Sequence, residues 1–392
     1  MSRRSLVCAA AALLITLAVS HLRATPYNNY VLLAQALLHG HVWIDWPGAY
    51  IDAVALAGRH YVIEAPLPAV LLMPAVALFG TSANQTLLSA VLAAVATGAA
   101  WELCERLGTS VGNAVWLTAF FLLGTGLLWC AMLGDVWFIA HVSAVCFTML
   151  ALVELCGRRR AWLVAIWAVC AIESRFSLVL ALPVYTALLL WWPPGETSEL
   201  RFDRASARTT LAGLAAVLIP CAALWVAYNL ARWGTPYDIG YAAWYHQDQA
   251  GMPTGSPFRL MYLPYQLWSF FVQRPDLSAA WPWIRPSVSG IALTWTTPAL
   301  LLALLARRPR GLVVALWLAA ALVALPSFIY YVNGFAQYGM RHALDFIPFL
   351  FALMVLAARA RLALWARALI VYSTGAWLYG VWFWSAFIRT GN

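Results

Sequence analysis

Lysine is absent: all 24 basic residues of the 392-residue chain are arginine. That excludes a lysine Schiff base and a Walker A phosphate loop. Charge of either sign is scarce, at 10% of residues against about 25% in a soluble domain. No C-x-x-C pair occurs among the seven cysteines. All seven sit in or at the ends of apolar runs, as small core residues do, so zinc and disulfide frameworks are not indicated. Tandem repeats and low-complexity tracts are also missing. The net charge of +9 is spread over short loops rather than gathered on a polar face, which argues against a nucleic-acid partner.

What is present is hydrophobic sequence, 64% of the chain, with a mean hydropathy of +0.77. Apolar runs long enough to cross a bilayer as helices recur from end to end. The expected fold is an all-α polytopic membrane protein forming one transmembrane domain over residues 1–392. About eleven spans are placed at 5–22, 86–104, 113–131, 137–155, 161–173, 176–192, 209–228, 288–306, 311–332, 343–358 and 367–385. Residues 1–22 resemble a signal peptide, but no small-residue cleavage site follows, so an uncleaved first span is expected. The arginine clusters "MSRR", "CERLG", "GRRR", "RFDRASAR", "ARRPR" and "ARARLALWAR" then fall on one side. Arginine excess marks the cytoplasmic side, so the N-terminus is expected inside and the C-terminus outside.

Two choices fix this topology. "LPAVLLMPAVALFG" (67–80) is short and carries two internal prolines, so it reads as interfacial or re-entrant. Residues 161–192 would make a single helix roughly 48 Å long, well beyond a hydrocarbon core of about 30 Å. Two short spans broken at "ESR" (173–175) fit better. Two large external segments remain, 23–66 and 229–287. The first contains "NNYVLLAQALLHG", a helix expected to lie on the membrane, and "RHYVIE", a β-prone run entered through a turn at "AGR". The second contains another interfacial helix in "PFRLMYLPYQLWSFFVQRP". The cytoplasmic stretch "PPGETSELRFDRASAR" reads as a connector.

All seven histidines and eight of the carboxylates, including Asp45, Asp52, Glu64, Asp135 and Asp345, fall on the external side of this topology. Ionisable groups at membrane depth are costly and usually mark a site. A transporter or flippase would place them nearer mid-depth on broken helices in both halves. A scaffold without chemistry would leave them scattered. Concentration at one face fits a site at the outer surface. Its arginines suit a phosphate, and its carboxylates suit proton removal from a hydroxyl.

The order of features resembles the GT-C superfamily of integral-membrane glycosyltransferases, in particular family 39 protein O-mannosyltransferases and lipid A aminoarabinose transferases. The matching elements are a first span, an acidic first external loop and "EAPLPAVLLMPAVALFG". After these come a span ending in "WELCERLG", a broken pair "AIESRFSLVLALPV" and the late segment "NGFAQYGMRHALDFIPFL". The likeness is strongest over 25–190 and 325–350. It implies a bacterial cytoplasmic (inner) membrane location and a polyprenyl-phosphate sugar donor. It further implies attack by a hydroxyl of an acceptor glycan, lipid or protein at the external face, with inversion at the anomeric carbon. The acidic pair usual in mannosyltransferases is absent: Asp45 precedes Trp46, and Asp52 precedes Ala53.

The candidate catalytic residues are therefore Asp52 as base, Asp45 as its rival, and Glu64 next to the Pro-Leu-Pro segment, orienting acceptor or metal. The alternatives are a cap or solvated residue for Asp52 and a pair with Arg59 for Glu64. Arg59 and His60 are candidates for donor phosphate, or Arg59 snorkels to headgroups. Arg175 is a phosphate candidate because a charge at a helix break needs a partner, which Glu173 supplies. Tyr338, Arg341, His342 and Asp345 form a late group in which Arg341 and Asp345 are spaced as a helical ion pair. Asp135 and His141 flank the outer start of the fourth span. His39 and His41 form an H-x-H with Asp45 as an incomplete third ligand, so a divalent metal is not assigned.

Overall fold

The computed structural model describes residues 2–48, 52–191, 202, 204–248, 255–287, 289–334, 336–359 and 361–388. The first helix, α1 (Arg3–Ser20), starts at Ser2, whose hydroxyl accepts from the Ser5 amide at 3.2 Å. Helix α2 (Asn29–Leu38) follows, then the hairpin β1 (Ala53–Leu56) and β2 (Arg59–Val62), then α3 (Leu67–Phe79). A central group comprises α4 (Gln85–Arg106), α5 (Val111–Leu123), α6 (Leu127–Leu133) and α7 (Val136–Leu155). Next come α8 (Ala161–Ile172), α9 (Leu182–Trp191) and the long α10 (Arg204–Trp233). The stretch after α10 contains α11 (Gly240–Asp248), α12 (Leu263–Phe271) and a short hairpin of β3 (Asp276–Leu277) and β4 (Ile284–Arg285). The chain closes with α13 (Leu293–Thr296), α14 (Arg310–Phe328), α15 (Ile347–Ala357) and α16 (Leu364–Phe383).

Among the described residues five helices are long and apolar enough to cross a membrane: α1, α4, α7, α10 from Ser206, and α14. The pair α5–α6 adds a sixth if it is one span bent by 44°. The bend falls at Gly124 and Gly126, where an added Cβ would lie 2.6 Å from the Phe120 ring and 3.0 Å from Trp377. The other expected spans are short or broken. In place of a helix over 288–306 there is α13 and then a 3-10 helix at Pro298–Leu305. A 3-10 helix rises about 2 Å per residue, so a short one covers more depth than an α-helix of equal length. The break expected at "ESR" is present, between the end of α8 and a 3-10 turn at Phe176–Ala181 that leads into α9.

Small residues let the helices approach closely, as is usual in membranes. Helix α4 buries Ala90, Ala93, Ala96, Ala99 and Ala100 and packs against α1 and α7. Phe120, Phe121, Trp129, Phe138, Phe349 and Phe351 fill the core around them.

Polar contacts gather at the two ends of this bundle. At one end, the Ser2 amide donates to Glu102 at 2.7 Å, and Glu102 pairs with Arg106. Asn113 donates to the Ala358 carbonyl at 2.8 Å, and Arg159 to the Leu188 carbonyl at 2.8 Å. The arginine clusters around these residues thus share one end. The connector at "PPGETSELRFDRASAR" lies largely outside the described residues.

At the opposite end, α2 packs on α3, and α3 is tied to the helix break by Leu67 N donating to the Glu173 carbonyl at 2.9 Å. With 13 residues and Pro74 inside it, α3 is too short to cross a core of about 30 Å. The hairpin turns at Ala57 and Gly58, with φ of 51° and 76°, the pair of positive values that a tight two-residue turn requires. Gln247 of α11 extends the edge of β1, accepting from Ala55 N and donating to the Ala53 carbonyl. Helix α12 turns Phe270 and two polar residues inward and a row of large apolar residues outward. It buries Gln266 and Ser269 and exposes Leu267, Trp268 and Phe271, as suits a helix facing lipid.

Candidate active site

Asp52 stands just before β1 and is buried. Its backbone carbonyl accepts from the Asn29 side-chain amide at 2.9 Å, and its carboxylate accepts from the indole N–H of Trp137. The hairpin then carries the chain out and back to Glu64, which is 4% exposed and has one oxygen, Oε2, without a hydrogen-bond partner among the described residues. Burial above all, with the neighbouring Asp52 carboxylate, pushes the Glu64 carboxyl up to about 8, against the pull of Arg175 and Arg232. Two carboxylates in one buried place do not both ionise easily, which favours the protonated form of Glu64. Tyr30 of α2 is fully buried close to Glu64 and Arg175, and its hydroxyl has no partner among the described residues.

Arg175 enters from the break between α8 and α9. Its guanidinium lies along Asp345, with Nε 3.3 and 3.2 Å from the two carboxylate oxygens and Nη2 3.1 Å from Oδ2. His141 of α7 donates through Nδ1 to the same carboxylate at 2.7 Å, and the Ser177 hydroxyl donates to it at 2.9 Å. Nη2 of Arg175 also donates to Nδ1 of His342 at 3.2 Å, which leaves the His342 proton on Nε2. Arg341 starts the 3-10 turn that carries His342 and Asp345. Its Nη1 donates to Gln337 Oε1 at 3.3 Å. That amide is oriented by its own NH2, which donates to the Ser289 and Asn333 carbonyls at 2.8 and 2.9 Å.

Arg232, at the end of α10, completes the surroundings. It is 3% exposed and donates to the Val62 carbonyl and to Asn229, each at 3.1 Å. It also pairs with Asp238 at 3.2 Å and lies over the Tyr228 ring.

Asp52, Glu64, His141, Arg175, Arg341, His342 and Asp345 therefore meet at one end of the bundle, drawn from the first loop, α7, the helix break and the late segment. Glu173 borders them. Its carbonyl holds α3, and its side chain faces Arg232 rather than the expected Arg175. The expected helical pair of Arg341 with Asp345 gives way to Arg175 with Asp345, because a 3-10 turn does not bring i and i+4 together.

Other candidates lie elsewhere. Asp45 is exposed. Arg59 is exposed at the hairpin and stacks 3.7 Å over Trp43, while His60 packs on Trp46. Asp135 precedes α7 and accepts from the Thr25 hydroxyl. The Tyr338 hydroxyl donates to the Ala376 carbonyl of α16 at 2.6 Å. His39 bonds the Gln35 carbonyl at 2.8 Å and His41 stacks on Trp43. No group of three or more His, Cys, Asp or Glu suited to a metal occurs among the described residues.

Sequence reasoning missed Trp137, Ser177, Tyr30, Gln337 and Arg232. Trp137 had a signal, since it lies four residues before His141 on one helical face. The others have none beyond nearness to a named residue.

No family model and no curated protein matches the sequence. Among solved structures, the chain is similar to the crystal structure of ArnT from Cupriavidus metallidurans bound to undecaprenyl phosphate, with a TM-score of 0.54 and 15% identity. The match covers 95% of this chain and 62% of the ArnT chain, so this chain spans less than two thirds of ArnT's length. The likeness is one of architecture: this is a mostly helical polytopic membrane protein with the fold seen in ArnT.

Proposed function

We propose that the chain is a membrane glycosyltransferase. It moves a sugar from a polyprenyl-phosphate donor to an acceptor hydroxyl at the external face of the cytoplasmic membrane. The observation that carries this reading is the buried meeting of Asp52 and Glu64 with Arg175 and Arg341, at the end of the bundle opposite the arginine clusters. The fold supports it, since ArnT shares the architecture and was crystallised with undecaprenyl phosphate. The arginine-rich end would face the cytoplasm, which puts the site outside.

In this reading Asp52 takes the proton from the acceptor hydroxyl. The freed oxygen attacks the anomeric carbon from the side opposite the phosphate, giving inversion. The bond from carbon to phosphate oxygen breaks, and the electron pair leaves with the lipid phosphate. Arg175 and Arg341 pair with the charge that develops there. Glu64, protonated at neutral pH, donates a hydrogen bond that orients the acceptor or the sugar. The division of labour follows environment: Trp137 supports the charged form of Asp52, while burial disfavours the charged form of Glu64.

The test is a transfer assay in membranes with labelled polyprenyl-phosphate sugar, scored with Asp52→Asn and Asp52→Ala. Both are expected to lose activity at least about 100-fold, as loss of a general base does. Full activity in both would remove Asp52 from the role.

A further inference from the structure

Arg175 offers a lipid phosphate only part of its guanidinium. Nε and Nη2 are taken by Asp345 and His342, at 3.1 to 3.3 Å. No protein group among the described residues bonds Nη1, and the side chain keeps 17% of its surface open, whereas that of Asp345 is fully buried. Asp345 is in turn fixed from two further directions, by His141 on α7 and Ser177 on the 3-10 turn after the break. Three side chains from two elements, α7 and the 3-10 turn at the break, therefore converge on a carboxylate with no exposed surface of its own. That is more anchoring than neutralising one arginine requires, and it leaves the guanidinium plane a single orientation.

We infer that Asp345, clamped by His141 and Ser177, is a positioning residue that turns the free Nη1 edge of Arg175 toward the lipid phosphate. This inference rests on the proposed lipid-phosphate chemistry and deepens it. Asp345 touches no substrate; it acts through Arg175. Its effect therefore exists only while Arg175 is present, which a purely structural carboxylate would not show.

The experiment measures binding of undecaprenyl monophosphate to the purified full chain in detergent, by thermal shift and by competition with the lipid-linked donor. Arg175→Gln and Asp345→Asn are each expected to weaken binding about 10-fold or more, the scale of a lost charge-assisted hydrogen bond. The double variant is expected to bind no more weakly than Arg175→Gln alone. Ser177→Ala and His141→Gln, each removing one bond to the carboxylate, are expected to weaken binding by smaller factors and serve if Asp345→Asn does not fold. Multiplying losses in the double variant, or wild-type binding in Asp345→Asn, would overturn the inference. So would wild-type binding in both Ser177→Ala and His141→Gln. If Arg175→Gln weakens binding while the Asp345 set does not, the positioning role falls and the lipid-phosphate reading stands. If the wild-type chain does not bind the lipid monophosphate, that reading falls first and takes this inference with it.

Discussion

The indole N–H of Trp137 donates to the carboxylate of Asp52, joining the first turn of α7 to the start of the hairpin across 85 positions of sequence. A neutral donor aimed at a buried carboxylate favours its charged form without cancelling the charge, as the proposed role of Asp52 requires.

Trp137→Phe keeps an aromatic ring, smaller than the indole, and removes the donor. The lost bond to a charged group is worth about 1.5–3 kcal/mol, so kcat/KM is expected to drop about 10-fold or more. The acid limb of the pH–rate profile is expected to move to higher pH, because Asp52 then ionises less readily. An unchanged profile in a membrane transfer assay would show that the bond does not tune the base.

Glu64 gives a pH dependence of stability. Its carboxyl is raised from 4.5 to about 8 in the folded chain, so the folded state holds a proton that the unfolded chain releases at lower pH. The protonated group's contribution is full below about 4.5 and is lost as pH rises through about 8. Thermal midpoints in detergent should fall over that window for the wild type and flatten in Glu64→Gln. Equal slopes in the two proteins would contradict the assignment.

Arg232 fastens the hairpin to the end of α10 through Val62, and is itself held by Asn229 on α10 and by Asp238. Arg232→Ala leaves the buried Val62 carbonyl without its donor and removes the ion pair to the partly exposed Asp238, which keeps its bonds from Trp233 and Gly240. The lost bond to the buried carbonyl is expected to cost about 1–3 kcal/mol. Hydrogen exchange is expected to accelerate over residues 53–62 while the α4–α7 core keeps its protection. Uniform loss of protection would mean that Arg232 supports the whole bundle.

Tyr338 separates packing from chemistry. Its hydroxyl bonds the Ala376 carbonyl, and a Cβ placed on Gly380 would lie 2.4 Å from its ring. Tyr338→Phe is expected to cost about 1 kcal/mol of stability. Gly380→Ala is expected to cost more, about 1–3 kcal/mol, through overpacking. Transfer per folded molecule should be unchanged in Tyr338→Phe; a large loss in kcat would return Tyr338 to the site.

Charged residues in apolar runs were legible because they are conspicuous. Arg175 interrupts a run of Ala, Val and Leu, and Asp345 precedes another, so both announce a need for partners. Their pairing with each other was not legible, since Glu173 is nearer in sequence and a 3-10 turn reads no differently from an α-turn in uniformly apolar text. Loop residues were the least readable. Asp45 and Asp52 each follow an isoleucine in the first loop, and only the packing of the loop and hairpin buries Asp52 and leaves Asp45 exposed. Tyr30, Gln337 and Trp137 look like ordinary core residues until their polar atoms are located. The short 3-10 helices also explain why counting apolar runs gives about eleven spans while few continuous helices are long enough to cross.

Helix α10 extends about 45 Å at 1.5 Å per residue, more than a typical hydrocarbon core. Only 6% of its apolar window is buried in the protein, and it leans on the bundle chiefly through α8. A helix longer than the bilayer tilts to fit it. Its far end carries Arg232, which grips Val62, two residues before Glu64. If the helix tilts in a thin bilayer, its end would draw on Val62 and so on the segment leading to Glu64, which would make bilayer thickness a mechanical input to the proposed site. Activity in short-chain and long-chain lipid vesicles should differ for the wild type and converge once Arg232 is removed.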